Sequence, residues 1–189
     1  MALNATVFKT EFQITDMDRH YYQAHTLTIA RHPSETDERM MVRLLAFALH
    51  ADEELAFTRG LSTDDEPDLW QKNLSDEIEI WIDLGQIDEK RIRKACARAS
   101  QVYIYTYRGR SARVWWEKIC DKLERFSNLN VIHLPDDVSQ SMAKMVRRTM
   151  QLQCTIQDGE AWLTDGNEIV RVAPQRWKQS RTNMPDFQG

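Results

Sequence analysis

The sequence predicts a mixed α/β fold, with helices on the faces of a twisted sheet and further antiparallel strands at both chain ends. Alternating hydrophobic residues at 6–15, 26–29 and 152–163 are typical of strands with one buried face. Helical spacing of hydrophobic residues from Met40 to Leu49 predicts an amphipathic helix that ends at about residue 52. A strand, a helix and a second strand over 77–107 predict a right-handed crossover that joins two parallel strands.

Length and composition are those of a globular chain that forms one domain over residues 1–189. The polar segment 178–189 is expected to be a frayed tail. No signal-peptide layout or membrane-spanning run is present, and the odd, widely spaced Cys96, Cys120 and Cys154 indicate reduced thiols. We therefore expect a cytoplasmic monomer that does not enter a membrane. The net charge of −4 argues against strong non-specific binding to nucleic acid.

The N-terminal part predicts a pair of antiparallel strands and then a helix. Phe8, Phe12 and Ile14 share one side of the first strand. His32-Pro33 ends the second strand, and Ser34–Asp37 resembles a capping box with aspartate at its fourth position. The core face of the helix carries Met40, Met41, Leu44, Leu45, Ala48 and Leu49.

The C-terminal part predicts alternating helices and strands, followed by a hairpin. A helix after Ser111 has hydrophobic residues at helical spacing, and 131–134 reads as a short buried strand. Pro135-Asp136-Asp137 begins a further helix. The turn at Asp158-Gly159 predicts a β-hairpin, with another strand at 169–172.

An acid-rich strand near the middle of the chain is the main candidate for chemistry. Alternation over 77–84 predicts one hydrophobic face and one acidic face. The hydrophobic face carries Ile78, Ile80, Ile82 and Leu84, and the acidic face carries Glu77, Glu79, Trp81 and Asp83. Pro67-Asp68 lies upstream, where a turn brings a further carboxylate beside Asp83. Carboxylates that converge at a strand end are ligands for Mg²⁺, so Asp68 and Asp83 are candidate metal ligands.

Simpler readings of the same residues stay open. Asp68 and Asp83 are also compatible with solvated acids at a turn and a strand end, and Glu79 with a cross-strand pair to lysine. Trp81 fits either sheet packing or a platform for a nucleic-acid base. Basic clusters at 90–98 and 108–113 are compatible with a site that binds phosphate, and equally with ordinary helix faces exposed to solvent.

A Pro-Asp pair, a spacer and an acid on a hydrophobic strand form the outline of the PD-(D/E)XK nuclease superfamily. The lysine expected two positions after the acid is replaced by Gly85. Over nearly the whole chain the sequence resembles the bacterial YaeQ family. The blocks that carry the resemblance are His32–Met41, Phe57–Leu61, Asp64–Trp70, Trp81–Gly85, Asp88–Cys96, Thr149–Gln153 and Thr155–Gly159.

The resemblance implies a restriction-endonuclease-like core, in which a mixed sheet lies between helices. It implies that Asp68 and Asp83 hold Mg²⁺, with Glu53 or Glu54 from the end of the first core helix as a third acid. Glu79 on the acidic face of the strand is another candidate for the third acid. Further roles complete the hypothesis of a metal-dependent nuclease. Lys94, or Lys90, would stand in for the missing lysine, Gln86 would hold a water, Arg59 and Arg91 would contact phosphate, and Trp81 would stack on a base.

Two functional hypotheses follow, with a purely structural role as a third. The first is a Mg²⁺-dependent phosphodiesterase that acts on nucleic acid. The second is a catalytically decayed accessory factor, in transcription or repair, that binds nucleic acid or a protein. The absent lysine and the negative net charge favour the second hypothesis.

Overall fold

The computed structural model describes residues 4–182, and this part of the chain contains eleven strands and four helices. The strands are β1 (Thr6–Asp16), β2 (Tyr21–Arg31), β3 (Leu55–Phe57), β4 (Leu69–Lys72), β5 (Ile78–Leu84), β6 (Ala99–Thr106), β7 (Leu129–His133), β8 (Thr149–Gln157), β9 (Glu160–Thr164), β10 (Ile169–Val172) and β11 (Gln175–Lys178). The helices are α1 (Asp37–Leu49), α2 (Glu89–Arg98), α3 (Gly109–Leu123) and α4 (Val138–Ala143).

The strands at the two chain ends form one sheet in the order β10-β9-β8-β1-β2. The β1–β2, β8–β9 and β9–β10 pairs are antiparallel, as the sequence predicted. The sequence did not predict that β1 also pairs with β8 in parallel, from Lys9 with Thr149 to Asp16 with Ile156. Both hairpins carry hydrophobic residues on one face, and this pairing merges the two faces into one apolar surface.

The second sheet has the order β11-β7-β6-β5-β4-β3. The three central strands β5, β6 and β7 are parallel, and antiparallel strands flank them on both sides. Helix α2 connects β5 to β6, so the predicted crossover is confirmed. The fold is therefore mixed α/β, with two mixed sheets and helices on their faces.

The two sheets enclose α1 and α4, while α2 and α3 cover the outer face of the second sheet. One hydrophobic cluster joins α1 to both sheets, and a second joins α2 and α3 to the opposite face of β5–β7. Helix α1 is buried around most of its circumference, from Met40 to Ala48. Phe47 of α1 stacks on Phe57 with ring centroids 5.2 Å apart.

Both ends of α1 differ from the sequence prediction. The N-cap is Thr36, whose side chain accepts a hydrogen bond from Arg39 N at 3.2 Å. The helix ends at Leu49, and the side chain of Arg19 donates to the carbonyl of Ala48 in its last turn and to that of Ala51 just beyond it. This guanidinium therefore supplies positive charge at the negative end of the helix.

Strand β5 departs from strict alternation at its start. The pairing of β4 with β5 shifts register between Gln71 and Lys72. As a result Ile78 packs with Trp81 under α2 and α3, whereas Ile82 and Leu84 face α1. The prediction that Ile78 shares a face with Ile82 and Leu84 is therefore wrong, because the bulge turns Ile78 to the opposite face.

The segment after residue 172 is more ordered than the sequence suggested. Strand β11 adds to the edge of the second sheet, and Ser180 is buried with its backbone N donating to Asn130 Oδ1 at 2.9 Å. Residues 183–189 of the predicted frayed tail lie outside the described residues. Within 4–182, no helix is long and apolar enough to cross a membrane.

Candidate acid–arginine site

The hairpin of β4 and β5 brings Asp68 and Asp83 to one place. Asp68 immediately precedes β4, and its backbone N donates to the carbonyl of Ile82 at 2.9 Å. Asp83 lies next to the end of β5. Both aspartates line a cleft of ≈ 230 Å³, so the fourteen intervening residues fold back to place them together.

Asp68 is buried and is held by an arginine of α1. Arg39 Nη2 lies 2.8 Å from both carboxylate oxygens and donates to Oδ2, which also accepts from Leu84 N at 3.0 Å. Oδ1 accepts no hydrogen bond from the described residues. Burial raises the pKa of the Asp68 carboxyl, the Arg39 guanidinium opposes that rise, and the charge of Asp83 adds to it.

Glu35 extends this contact into a buried network. Its Oε1 accepts from Arg39 Nη1 at 3.0 Å, and its Oε2 accepts from Arg43 Nη2 at 2.8 Å. Arg43 also donates to the carbonyl of Ala30 at 3.1 Å. The three side chains of Glu35, Arg39 and Arg43 therefore fix the start of α1 against Asp68.

Both carboxylate oxygens of Asp83 accept hydrogen bonds from neighbouring side chains. Arg91 of α2 makes a bidentate pair, with Nη2 2.8 Å from Oδ1 and Nε 2.9 Å from Oδ2. The indole Nε1 of Trp81 donates to Oδ2 at 2.9 Å. Arg91 also donates to the carbonyls of Glu66 at 2.8 Å and Asp64 at 3.3 Å. One guanidinium thus ties β5 to the loop that leads into β4.

The predicted lysine substitute and water-holding residue have other contacts. Lys94 pairs with Asp65 on the loop before β4, and neither residue lines the cleft. Gln86 Nε2 donates to Ser111 Oγ at 2.8 Å, at the start of α3. In this arrangement neither Lys94 nor Gln86 contacts Asp68 or Asp83.

The further acids predicted as metal ligands lie away from the aspartate pair. Glu79 accepts from Gln71 Nε2 at 3.2 Å, at the other end of β5. Glu53 and Glu54 are exposed in the turn before β3. None of these acids lines the cleft that Asp68 and Asp83 share.

The residues predicted to contact a substrate are also placed differently. Arg59 is exposed, and its backbone N donates to Glu66 Oε2 at 3.2 Å. Arg91 is bound to Asp83, as described above. Trp81 lies on the acidic face as predicted, but it is fully buried, with the Arg98 guanidinium 5.1 Å from its ring centroid. Its face is therefore covered by α2 and is not presented to a base.

Sequence analysis did not assign Arg39, Arg43 and Glu35 to the site. A signal existed, because Arg43 interrupts the hydrophobic run of α1 and lies four residues after Arg39, on the same helix face. A charged residue in a helix that is otherwise buried requires a partner. The pattern does not say which acid provides it.

The cleft offers few of the oxygen ligands that Mg²⁺ requires. Within residues 4–182, no group of three or more His, Cys, Asp and Glu side chains is arranged to hold a metal ion. Asp68 Oδ1 is available, although a Cβ on the neighbouring Gly60 would lie 3.2 Å from it. Both oxygens of Asp83 are occupied by Arg91 and Trp81. As arranged, these residues do not fit a magnesium centre, which needs several oxygen ligands.

We expect Arg91→Ala to loosen the loop 60–67, because the substitution removes the hydrogen bonds to the carbonyls of Asp64 and Glu66. Hydrogen exchange of the loop amides should become faster, and limited proteolysis should cut there first. Arg93→Ala is the matched control, since Arg93 is an exposed arginine of the same helix. Equal exchange rates in the two variants would contradict the tethering role of Arg91.

Comparisons with known proteins give one consistent result. The family model described as YaeQ protein matches residues 1–174. The chain is 47% identical over 179 residues to the uncharacterized protein YaeQ of Escherichia coli K12, covering 95% of this chain and 99% of that protein. The corresponding Salmonella typhi protein is 46% identical over 179 residues, with the same coverage.

Two solved structures are similar over nearly the whole chain. The crystal structure of YaeQ protein from Xanthomonas axonopodis pv. citri has a TM-score of 0.89 and 47% identity, and covers 93% of this chain and 99% of that one. The YaeQ crystal structure from Pseudomonas syringae has a TM-score of 0.89 and 40% identity, with 94% and 98% covered.

Proposed function

The chain belongs to the YaeQ family, and we propose that it is a non-catalytic factor that binds nucleic acid on a restriction-endonuclease-like fold. The observation that carries the proposal is a contrast in charge pairing. The two aspartates of the candidate site are held by arginines, whereas four exposed cations on the neighbouring helices α2 and α3 form no ion pair with a described residue. The parallel strands β5–β7 between helices support the nuclease-like assignment.

The pairing of the aspartates supports the loss of hydrolytic activity. Arg39 and Arg91 neutralise Asp68 and Asp83, which is the electrostatic task of a metal ion in a phosphodiesterase. The position of the superfamily lysine is Gly85, which has a positive φ of 99°. Apart from these two arginines, which the carboxylates already bind, no cation of residues 4–182 forms an ion pair with the two aspartates or is left there to offset charge on a phosphate.

The positive charge available for a ligand lies on a surface formed by α2 and α3. We define the α2–α3 surface by four exposed cations that make no ion pair with a described residue, Lys90, Arg93, Arg110 and Lys118. The two helices lie side by side, as shown by the contact of Lys122 Nζ on α3 with Glu89 Oε2 on α2 at 3.8 Å. Local positive charge of this kind binds phosphate groups despite a net charge of −4.

A groove on this surface offers both charge and an aromatic ring. Its volume is ≈ 550 Å³, and Arg110, Ser111, Trp115 and Lys118 are among its lining residues. The indole Nε1 of Trp115 donates to the carbonyl of Ile87 at 2.9 Å, which fixes the ring at the base of the groove. Cations combined with an aromatic ring are typical of surfaces that bind single-stranded nucleic acid.

We expect Arg110→Glu/Lys118→Glu to weaken binding of a fluorescein-labelled single-stranded oligonucleotide at least about tenfold, measured by anisotropy. The affinity of the unmodified protein should fall as salt increases from about 50 to about 200 mM, because bound counterions are released. Lys9→Glu/Lys144→Glu is the matched control, because it changes the charge equally on exposed residues of other elements.

Two outcomes would contradict the proposal. One is the absence of binding at low salt, and the other is an equal loss of affinity in the control variant. In the same samples the oligonucleotide should stay intact after Mg²⁺ is added. Cleavage that requires Mg²⁺ and is lost in Asp83→Asn would replace the accessory role with a catalytic one.

A Mg²⁺-dependent phosphodiesterase is the second candidate, and one observation favours it. Asp68 Oδ1 lines the cleft, is buried and accepts no hydrogen bond from the described residues. Arg39 Nη2 lies 2.8 Å from this oxygen as an ion-pair partner but does not donate to it, and a carboxylate oxygen without a hydrogen bond is a ligand for a hard cation. Calorimetric titration with Mn²⁺ separates the two functions. Micromolar binding that disappears in Asp68→Asn supports the enzyme, and absence of binding at millimolar Mn²⁺ supports the accessory factor.

A further inference from the structure

A large cavity lies between the two sheets, beyond the end of α1. The helix fills the space between the sheets only as far as Leu49, while β1, β8 and the strands of the second sheet continue past it. The result is a cavity of ≈ 630 Å³, which we call the inter-sheet cavity. Its lining includes Asp16, His50, Tyr103, Tyr105, Ile132 and Arg176. This volume is in the range of small-molecule sites.

One wall of the inter-sheet cavity is a neutral hydrogen-bonding cluster. His50 Nε2 lies 2.6 Å from Tyr105 Oη, and the ring centroid of His50 is 4.3 Å from that of Tyr103 in an edge-on contact. Burial lowers the pKa of His50 to about 3 and raises the pKa of Tyr105. Near neutral pH this wall therefore offers aromatic rings and polar atoms without a charge.

Most charged groups around the cavity already have partners. Arg19 Nε is 2.6 Å from Asp16 Oδ2, and its Nη1 donates to the carbonyl of Ala51 at 3.0 Å. Asp18 accepts from the backbone N atoms of Asp158 and Gly159 at 2.8 and 2.9 Å. These contacts lie at the ends of β1 and β8. They do not leave either aspartate as an open cation site.

Arg176 is the exception. It lies on β11, lines the cavity, and makes no side-chain hydrogen bond or ion pair with any residue from 4 to 182. Its positive charge acts to lower the pKa of His50, Tyr103 and Tyr105, because a nearby cation favours the less protonated form of each side chain. Arg176 pairs with Ile132 across the sheet, and Ile132 pairs with Tyr105, so the exposed Arg176 side chain is on the same face as the aromatic wall. No carboxylate of the described residues forms an ion pair with it.

We propose that the inter-sheet cavity binds a small organic molecule that carries a carboxylate and an apolar ring. The carboxylate would pair with Arg176, because a planar guanidinium matches carboxylate geometry. The ring would lie against Leu49, Ile80 and Ile132, with Tyr103 alongside. The cavity is on the α1 side of the second sheet, opposite the α2–α3 surface, so this proposal is independent of nucleic-acid binding.

Benzoate is the probe, with benzylamine and benzyl alcohol as cationic and neutral analogues of similar shape. Titration of the ¹⁵N-labelled full chain should give saturable amide shifts at His50, Tyr103 and Arg176 with benzoate, and none with benzylamine. Arg176→Gln should raise the Kd for benzoate at least about tenfold, because a charge-assisted hydrogen bond is lost. Arg171→Gln, an exposed arginine on β10, should leave the Kd unchanged.

A second variant tests the location independently of charge. Ile80→Trp fills the cavity, so benzoate shifts should disappear while the remainder of the spectrum is retained. The proposal is overturned if benzoate causes no shifts up to about 10 mM, the range in which weak ligands are detected. It is also overturned if Arg176→Gln binds benzoate as tightly as the unmodified chain, or if benzylamine binds equally well.

Discussion

Replacing Glu35 with alanine is expected to lower the free energy of unfolding by about 3–5 kcal/mol, the usual effect of removing one partner from a buried ion pair. Glu35 accepts from both Arg39 and Arg43, whose side chains are only 14% and 6% exposed. Without the carboxylate, the Arg43 guanidinium stays inside the protein beside a carbonyl oxygen alone. Urea denaturation at constant pH measures the loss.

Two further variants test whether the loss of stability comes from the buried charge of Arg43 that is left without a partner. Glu35→Ala/Arg43→Met removes both charges and should recover a large part of the lost stability, since a hydrophobic side chain fits the position. Glu160→Ala breaks the exposed pair with Arg171 and should have no measurable effect. If Glu35→Ala cost less than about 1 kcal/mol, Arg43 would have another route to water or to a partner.

Stability is expected to fall steeply as the pH decreases from about 6.5 to about 3, because of His50. Its pKa is about 3 in the folded protein and near 6.5 in the unfolded chain. The unfolded chain therefore binds a proton in this interval while the folded protein does not. The stabilisation is present above pH 6.5 and is lost at about 1.4 kcal/mol per pH unit on acidification. Denaturation midpoints at several pH values report this slope.

His50→Gln isolates this contribution. Glutamine retains a polar group near Tyr105 but does not titrate. The slope of stability against pH between 6.5 and 3 should therefore decrease by the contribution of one proton, about 1.4 kcal/mol per pH unit. His20→Gln is the control, because His20 is exposed in the turn between β1 and β2. Identical pH slopes for His50→Gln and the unmodified protein would mean that His50 protonates freely in the folded state.

Local patterns in the sequence predicted most elements but not all of their partners. The β5–α2–β6 crossover, the N-terminal strand pair and the C-terminal hairpin each follow from residues close in the chain. The parallel pairing of β1 with β8 joins residues about 140 positions apart. Alternation alone does not specify such a partner, because any strand with one apolar face satisfies the pattern.

The same limit applies to the candidate site. The prediction that Asp68 and Asp83 lie near each other depends on a local hairpin and agrees with their common cleft. The roles of Arg39 and Arg91 depend on which helix packs against the β4–β5 hairpin and on where along the hairpin that helix lies. Arg91 was predicted as a phosphate ligand, and in the structure its guanidinium binds the carboxylate instead. The sequence around Arg91 is equally compatible with a phosphate ligand and with a partner for Asp83, so only the tertiary packing decides between the two roles.

The central place of β1 in the first sheet has a consequence during synthesis. The β1–β2 hairpin is made early, but its second partner β8 begins at Thr149. At ribosomal rates of about 5–20 residues per second, the hairpin waits on the order of ten seconds with one edge unpaired and its apolar face uncovered. The nascent chain is therefore expected to require protection by a chaperone in that interval, whereas the β5–β6 crossover assembles as it emerges.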